Sequence, residues 1–306
     1  MTPHKYTQME DESMLLGALE AGGTKMVCAI GDENGNVFER ASFPTRMPEE
    51  TMPDIIGYFK DKKIEALGIS SFGPLNLDET STDFGNITTT PKPGWANYPL
   101  RRTLLEALKV PVGIDTDVNG AALAEARIGA GKGLDSLVYY TIGTGIGGGA
   151  VVGGKLLHGL VHPEMGHMLL RPVKDDPTPK GFCPYHDGCL EGMANGPAIE
   201  KRWGVSAKEL PPEHIAWDVE AEYLAQMCVN TIVVLSPKKI VLGGGVMHQL
   251  HLFPKIRKRT LELLNGYVAH SAILEDIDNY IVPPALGDNA GAAGSLLLAL
   301  EALKSA

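Results

Sequence analysis

Leu15-Leu16-Gly17-Ala18-Leu19-Glu20-Ala21-Gly22-Gly23-Thr24-Lys25-Met26-Val27-Cys28-Ala29-Ile30 consists of two apolar runs joined at a glycine turn. Residues 15–19 and 26–30 read as short buried strands, since each is a β-prone run bounded by turn residues. Glycine suits the turn because a Cβ there would hold a ligand away from the backbone. Asp32-Glu33-Asn34-Gly35-Asn36 then supplies a hairpin into a third strand at 37–43, completing a meander. Much later the same order begins again. Residues 137–142 form an apolar run that ends in Gly143-Thr144-Gly145, residues 148–152 follow as a second strand, and Gly153-Gly154 turns the chain into a third at 155–157.

Between and after the two meanders, strands alternate with helices, a pattern that implies parallel pairing. The first half continues with helix 51–60, strand 66–70, helix 100–108 and strand 110–114. The second continues with a long helix at 218–235, a strand at 239–242 that runs into Gly243-Gly244-Gly245, and a final helix at 290–304. Two glycine hairpins facing one another across a cleft can present backbone N–H groups to a polyphosphate from both sides. Any one of these turns alone reads as a hairpin glycine; three at the ends of apolar strands favour the ligand reading. None matches the Walker pattern, and no Rossmann fingerprint opens a helix.

The chain has 306 residues, of which 44% are hydrophobic, enough for a substantial core. With 37 acidic and 27 basic residues the net charge is -10, which disfavours non-specific binding to nucleic acid or an anionic membrane. No run approaches the ~20 apolar residues of a membrane span, and the first 13 residues lack the apolar stretch of a signal peptide. The expectation is a cytoplasmic protein. Of four cysteines, Cys28 and Cys228 lie in apolar stretches and read as core.

Two constellations carry chemistry. Strand 110–114 runs into Asp115-Thr116-Asp117-Val118-Asn119 and then a strong helix former at 120–126, so Asp115 and Asp117 lie at a strand end facing the ligand side of a parallel sheet. Either aspartate could equally serve as helix N-cap. Cys183-Pro184-Tyr185-His186-Asp187-Gly188-Cys189 offers three metal donors within seven residues, and one upstream histidine from His162-Pro163-Glu164-Met165-Gly166-His167 completes a tetrahedral, structural zinc set. The alternative is a pair of unliganded thiols beside a surface histidine.

Gly22 to Lys25, Thr116 to Asn119, Thr141 to Gly145, Glu164 to His167, the Cys/His cluster, Gly243 to Gly245 and Asn289-Ala290-Gly291 stand in the order of the ROK family, which this chain resembles from residue 15 onward. The duplicated plan is likewise similar to the actin, hexokinase and Hsp70 superfamily. The resemblance implies an actin-like (ribonuclease H-like) α/β fold of two domains, residues 14–128 plus 288–306 and residues 129–287, with a cleft between. It implies an ATP-dependent sugar kinase with Mg²⁺. Cys-Pro-Tyr-His, together with Thr-Pro-Lys-Pro-Gly-Trp at 90–95, is similar to the bacterial fructokinases of the family, so fructose is the expected sugar, phosphorylated at the 6-hydroxyl. Thr116, where family glucokinases carry Asn, points away from glucose; glucose, mannose and N-acetylated hexosamines are the alternatives.

By the same resemblance Asp117 is the catalytic base, and Asn119, Glu164, His167, Glu191 and Trp95 contact sugar. Gly22, Gly23, Thr24, Lys25, Thr141, Gly143, Thr144, Gly145, Gly243, Gly244, Gly245 and Val246 hold ATP. His167, Cys183, His186 and Cys189 hold zinc, with His167 serving sugar as well, and Glu20 is a candidate for indirect Mg²⁺ coordination in place of the family's usual Asp. A homodimer is expected. The rival of another class is a sugar-sensing repressor of the family, but the dozen or so polar residues before the first strand are too few for the helix-turn-helix such a protein carries.

Overall fold

Both glycine hairpins form, and each is the seed of a five-stranded sheet. The structure, a computed structural model, describes residues 14–306. β1 (Leu16–Ala21), β2 (Lys25–Gly31) and β3 (Val37–Pro44) make an antiparallel meander. α1 (Pro48–Lys60) leads to β4 (Ala66–Ser71), which pairs parallel to β1. α2 (Leu100–Leu108) leads to β5 (Val112–Thr116), parallel to β4. α3 (Asp117–Arg127) carries the chain across to the second sheet, where β6 (Leu137–Ile142), β7 (Ile146–Val152) and β8 (Lys155–Leu156) form another antiparallel meander.

The segment between that meander and the next strand holds α4 (Leu190–Ala194), α5 (Gly196–Trp203) and the long α6 (Ala216–Leu235). β9 (Ile240–Gly243) pairs parallel to β6. α7 (Leu252–Leu264), α8 (Ser271–Leu274) and α9 (Ile277–Tyr280) precede β10 (Ile281–Val282), parallel to β9, and α10 (Ala290–Lys304) ends the chain. The strand orders are β3-β2-β1-β4-β5 and β8-β7-β6-β9-β10. They are the same topology twice, as the repeated sequence pattern predicts.

Alternation along β1 divides the first half into two layers. Leu19 and Ala21 point into a core with Met26, Phe59, Ile69 and Trp95 beneath α1 and α2, while Leu16 and Ala18 point the other way onto Leu296 and Ala299 of α10. α10 therefore lies on the first sheet although it ends the chain. Small residues permit that approach: a Cβ on Gly68 of β4 would stand 1.8 Å from the Ser295 carbonyl oxygen. α3 packs on β6 and β7 and against α10, where a Cβ on Gly294 would stand 2.1 Å from the Gly120 oxygen. These two helices form the connection between the sheets. The second half has one large core around Tyr140, Trp217, Tyr223 and Met227.

Most predicted elements lie within two or three residues of the observed ones. The strand expected from residue 110 starts at Val112, because Lys109 turns left-handed at φ 59° to close α2 and Pro111 follows. The long helix starts two residues earlier than expected, and α4, α5, α7, α8, α9 and β10 carry no prediction. Among the described residues no helix is long and apolar enough to cross a membrane.

Candidate active site

The β5–α3 junction decides which aspartate is available for chemistry. Thr116, in extended backbone at φ -67°, ψ 156°, is the N-cap of α3, and its hydroxyl accepts the Asn119 N–H at 3.1 Å. Neither aspartate is needed for that purpose. Asp115 is 3% exposed and turned inward: its Oδ1 accepts the Thr116 N–H and the Asn119 side-chain amide, both at 2.7 Å, and its Oδ2 pairs with His158 Nε2 at 2.8 Å. Asp117 lies one residue into the helix, with its Oδ1 accepting only the Val118 N–H at 2.9 Å. Its side chain is exposed toward the cleft, yet protein is packed densely enough around it to weaken its hydration. Desolvation there, with Glu20 and Glu164 adding negative charge, pushes its pKa up to about 6 against the opposing Val118 N–H.

The cleft has two compartments, and Asp117, Val118 and Thr141 belong to both. One, of about 670 Å³, is walled by Glu20, Lys25, Arg40, Asp288, Gly243 and Gly244 with Tyr139, Leu242, Met247 and two prolines, Pro283 and Pro284. The other, of about 860 Å³, is walled by Gly143, Thr144, Gly145, Glu164, His167 and Glu191, with Gly73, Pro74 and Thr89 of the first half opposite.

In the first compartment Lys25 and Arg40 are the permanent cations. Arg40 Nη2 donates to Asn289 Oδ1 at 3.1 Å, which ties the exposed edge strand β3 to the start of α10. Sequence reasoning misses Arg40, which sits in a run of exposed residues without motif. Glu20 stands among these groups. Burial raises its pKa and Asp288 adds to that, while Arg40 and Lys25 oppose it. Gly22, Gly23 and Thr24 form the turn beside Lys25, half-buried at Gly22 and exposed at Gly23 and Thr24, and they line neither compartment. The glycine at 22 is required by the turn itself, since its Cβ would stand 2.7 Å from the Lys25 oxygen; around Gly23 the space is open. Gly244, at φ +88°, is pressed against β6, and a Cβ on it would stand 2.5 Å from backbone atoms of Ile142. Gly245 lies beside Gly143 with open space around it. Val246, expected to hold ATP, packs in the second core and does not line the compartment; of this turn Met247, equally buried, and His248 do.

Two of the expected sugar contacts are also corrected. Trp95 is fully buried, stacked edge-on against Phe72 and Tyr98, and its indole N–H is taken by the Arg46 oxygen at 2.8 Å, so it anchors the 89–98 loop and offers nothing to the cleft. Asn119 is 1% exposed, with its amide committed to Asp115 and near His158. Glu164, His167 and Glu191 do converge. Glu191 Oε2 accepts the Ile146 N–H at 2.9 Å, fixing it at the mouth of the β6–β7 turn, and its Oε1 lies 4.0 Å from His167 Nε2.

His167 turns its other nitrogen to the cysteines. The donor atoms of His167, Cys183, His186 and Cys189 all lie within 4.8 Å of one another. His167 Nδ1 is 3.7 Å from Cys189 Sγ and 3.9 Å from Cys183 Sγ, and His186 Nδ1 is 3.6 Å from Cys183 Sγ. Tetrahedral Zn²⁺ with ordinary bond lengths separates nitrogen and sulfur ligands by about 3.6 Å, so the set fits that ion. Cys189 also caps α4, its sulfur accepting the Gly192 N–H at 3.5 Å.

The family model described as "ROK family" matches residues 16–302. A fructokinase of Pediococcus pentosaceus is 47% identical over 293 residues, covering 96% of this chain and 100% of its own. A fructokinase of Zymomonas mobilis is 44% identical over 302 residues, covering 96% and 99%. Among solved structures, the ROK hexokinase of Thermus thermophilus superimposes with a TM-score of 0.79 at 27% identity, over 96% of this chain and 100% of that one. With the glycine hairpins, the Glu164–His167 segment and the Cys/His cluster all inside the matched span, the chain belongs to the ROK family.

Proposed function

We propose that this protein is a fructokinase, an enzyme that transfers the γ-phosphoryl group of ATP to the 6-hydroxyl of D-fructose and releases fructose 6-phosphate and ADP. One observation carries the residue assignment: Asp117, with an almost unengaged carboxylate, stands where the two compartments meet. A nucleotide in one compartment and a sugar in the other would have their reacting groups side by side at that point. Relatives named fructokinase over nearly full length support the substrate.

In this reading the cleft lies between residues 14–128 plus 288–306 and residues 129–287. Glu164, Glu191 and His167 Nε2 hold sugar hydroxyls. Asp117 accepts a hydrogen bond from the 6-hydroxyl and takes its proton as that oxygen bonds to the γ-phosphorus and the bond to the β-phosphate oxygen breaks. Lys25 and Arg40 meet the triphosphate from the first half, and the N–H groups of Gly23, Thr24, Thr144 and Gly145, unlike those of Gly22 and Gly143 that close their own turns, would add dipoles from both sides. Glu20 and Asp288 would hold Mg²⁺, directly or through water, and that ion supplies charge neutralisation between the phosphates. His167, Cys183, His186 and Cys189 would hold Zn²⁺ as a closed four-ligand staple, which keeps the loop bearing Glu191 in place. The reading also includes a cytoplasmic location, where ATP is available, and a homodimer.

A panel of hexoses assayed by coupled ADP release tests the sugar. Fructose should show the highest kcat/KM, above glucose and mannose. A higher value for glucose would remove the fructose assignment and leave the kinase standing.

A further inference from the structure

The segment from residue 157 to 164, which leaves β8 and ends in Glu164, belongs to the second half but is fastened to the first at two places. His158 Nε2 pairs with Asp115 Oδ2 at 2.8 Å, and His162 Nε2 accepts the N–H of Leu75 at 3.2 Å, a bond between residues 87 apart in sequence. Between the two fastenings Leu160 and Val161 stand fully or largely exposed. Beyond Leu157, which packs against the second core, hydrophobic burial does not hold the segment down. The two imidazoles do.

His162 is 6% exposed, and the chemistry of its ring settles its tautomer. A nitrogen that accepts a hydrogen bond carries no proton, so Nε2 is the acceptor and Nδ1 carries the hydrogen. Nδ1 faces Glu164 Oε1 at 3.5 Å. Glu164 is otherwise about half exposed, with no other hydrogen-bond partner among the described residues, and a glutamate so placed has several rotamers of similar energy. The buried ring selects among them and leaves Oε2 of Glu164 without a protein partner in the compartment.

We propose that His162 is a positioning residue for the sugar: its Nδ1–H, 3.5 Å from Glu164 Oε1, orients that carboxylate, while its other nitrogen registers it to the Leu75 main chain on the opposite wall of the cleft. The inference rests on the reading of Glu164 as a sugar contact. Its consequence is that the sugar side of the cleft is set by both halves at once, because Leu75 continues into the wall formed by Gly73, Pro74 and Thr89. The nucleotide compartment contains neither His162 nor Leu75.

Steady-state kinetics on the full-length, zinc-loaded chain separates the two bonds. His162→Gln can place an amide oxygen near the former Nε2 and so keep the Leu75 bond while losing the donor to Glu164. His162→Asn can place an amide N–H near the former Nδ1 and so keep the donor while losing Leu75. Each should raise the fructose KM about tenfold, the effect of losing one buried hydrogen bond, with the ATP KM changed less than about twofold. In a Glu164→Gln background His162→Gln should add little, because its effect passes through Glu164. If Glu164→Gln raises the fructose KM and neither His162 variant does, the inference is wrong and the reading of Glu164 stands. If Glu164→Gln itself leaves the fructose KM unchanged, that reading fails and takes the inference with it. A parallel rise in both substrates' KM would show a general structural role and overturn the proposal; should one variant not fold, the other carries the same test.

Discussion

Thr116 and Asp117, neighbours at the end of β5, divide two duties between them: the Thr116 hydroxyl caps α3 through the Asn119 N–H, and the Asp117 carboxylate is left to face the cleft. Had Asp117 been the cap, its oxygen would have been turned back onto the helix and away from the cleft. The β-to-α change of backbone direction comes one residue before it. For that reason the carboxylate lies within the first turn rather than ahead of it.

Asp117→Asn keeps the shape and removes the base. Its kcat should fall by roughly 10²-fold or more, the low end of general-base effects, with the fructose KM much less changed. Asp115→Asn, buried beneath, should cost stability more than turnover. A near-normal kcat in Asp117→Asn would refute the assignment of the base.

The raised pKa of Asp117 predicts two pH effects of opposite benefit. The base must be ionised, so kcat/KM should fall as pH drops through about 6. Stability runs the other way. A carboxyl whose folded pKa is raised from 3.8 to about 6 contributes stability that is present below the lower value and is lost as pH rises through the upper one. Asp117→Asn should therefore have a higher Tm than the parent at pH 8, with the difference vanishing toward pH 4. A lower Tm for the variant at pH 8 would contradict the desolvated environment described above.

Protein purified without added metal should contain about one zinc per chain, because the four donors already stand at ligand separations. Stripping it with a strong chelator should raise the fructose KM before the ATP KM changes, since the loop it staples carries Glu191 and His167 but no group of the nucleotide compartment. Metal content near zero with full activity would end this idea.

Arg40→Ala should raise the ATP KM about tenfold and leave the fructose KM alone, the scale of one charge-assisted hydrogen bond to phosphate. Asn289→Ala, which frees the guanidinium without deleting it, should give a smaller rise in the same constant. An unchanged ATP KM in Arg40→Ala would leave Lys25 as the sole side-chain cation on the phosphates.

Glu125 in α3 is fully buried and accepts the N–H groups of Ala130, Ala285 and Leu286 at 2.7, 3.1 and 2.9 Å. It thereby holds the segment before α10 to the end of α3. Glu125→Ala orphans three donors at about 1 kcal/mol or more each, so chemical denaturation should show a loss of roughly 3 kcal/mol. A loss below about 1 kcal/mol would mean the segment rearranges to find other partners.

The two meanders, their glycine turns and the spacing of the Cys/His cluster were determined by the sequence itself, because each depends on neighbours only a few residues away: alternation along a strand, a turn that excludes a Cβ, three Cys/His side chains on one loop. Asp117 at a strand end was legible for the same reason. Which way side chains point after the chain has packed was not, since that depends on partners far off in sequence. Only the tertiary structure turned Asp115 and Asn119 inward to His158, sealed Trp95 beneath α1 and α2, put Val246 in the core, and brought Arg40 to Asn289 across 249 positions. A local pattern limits a side chain to one face of its element; the long-range packing of α3 and α10 between the sheets decides what that face meets.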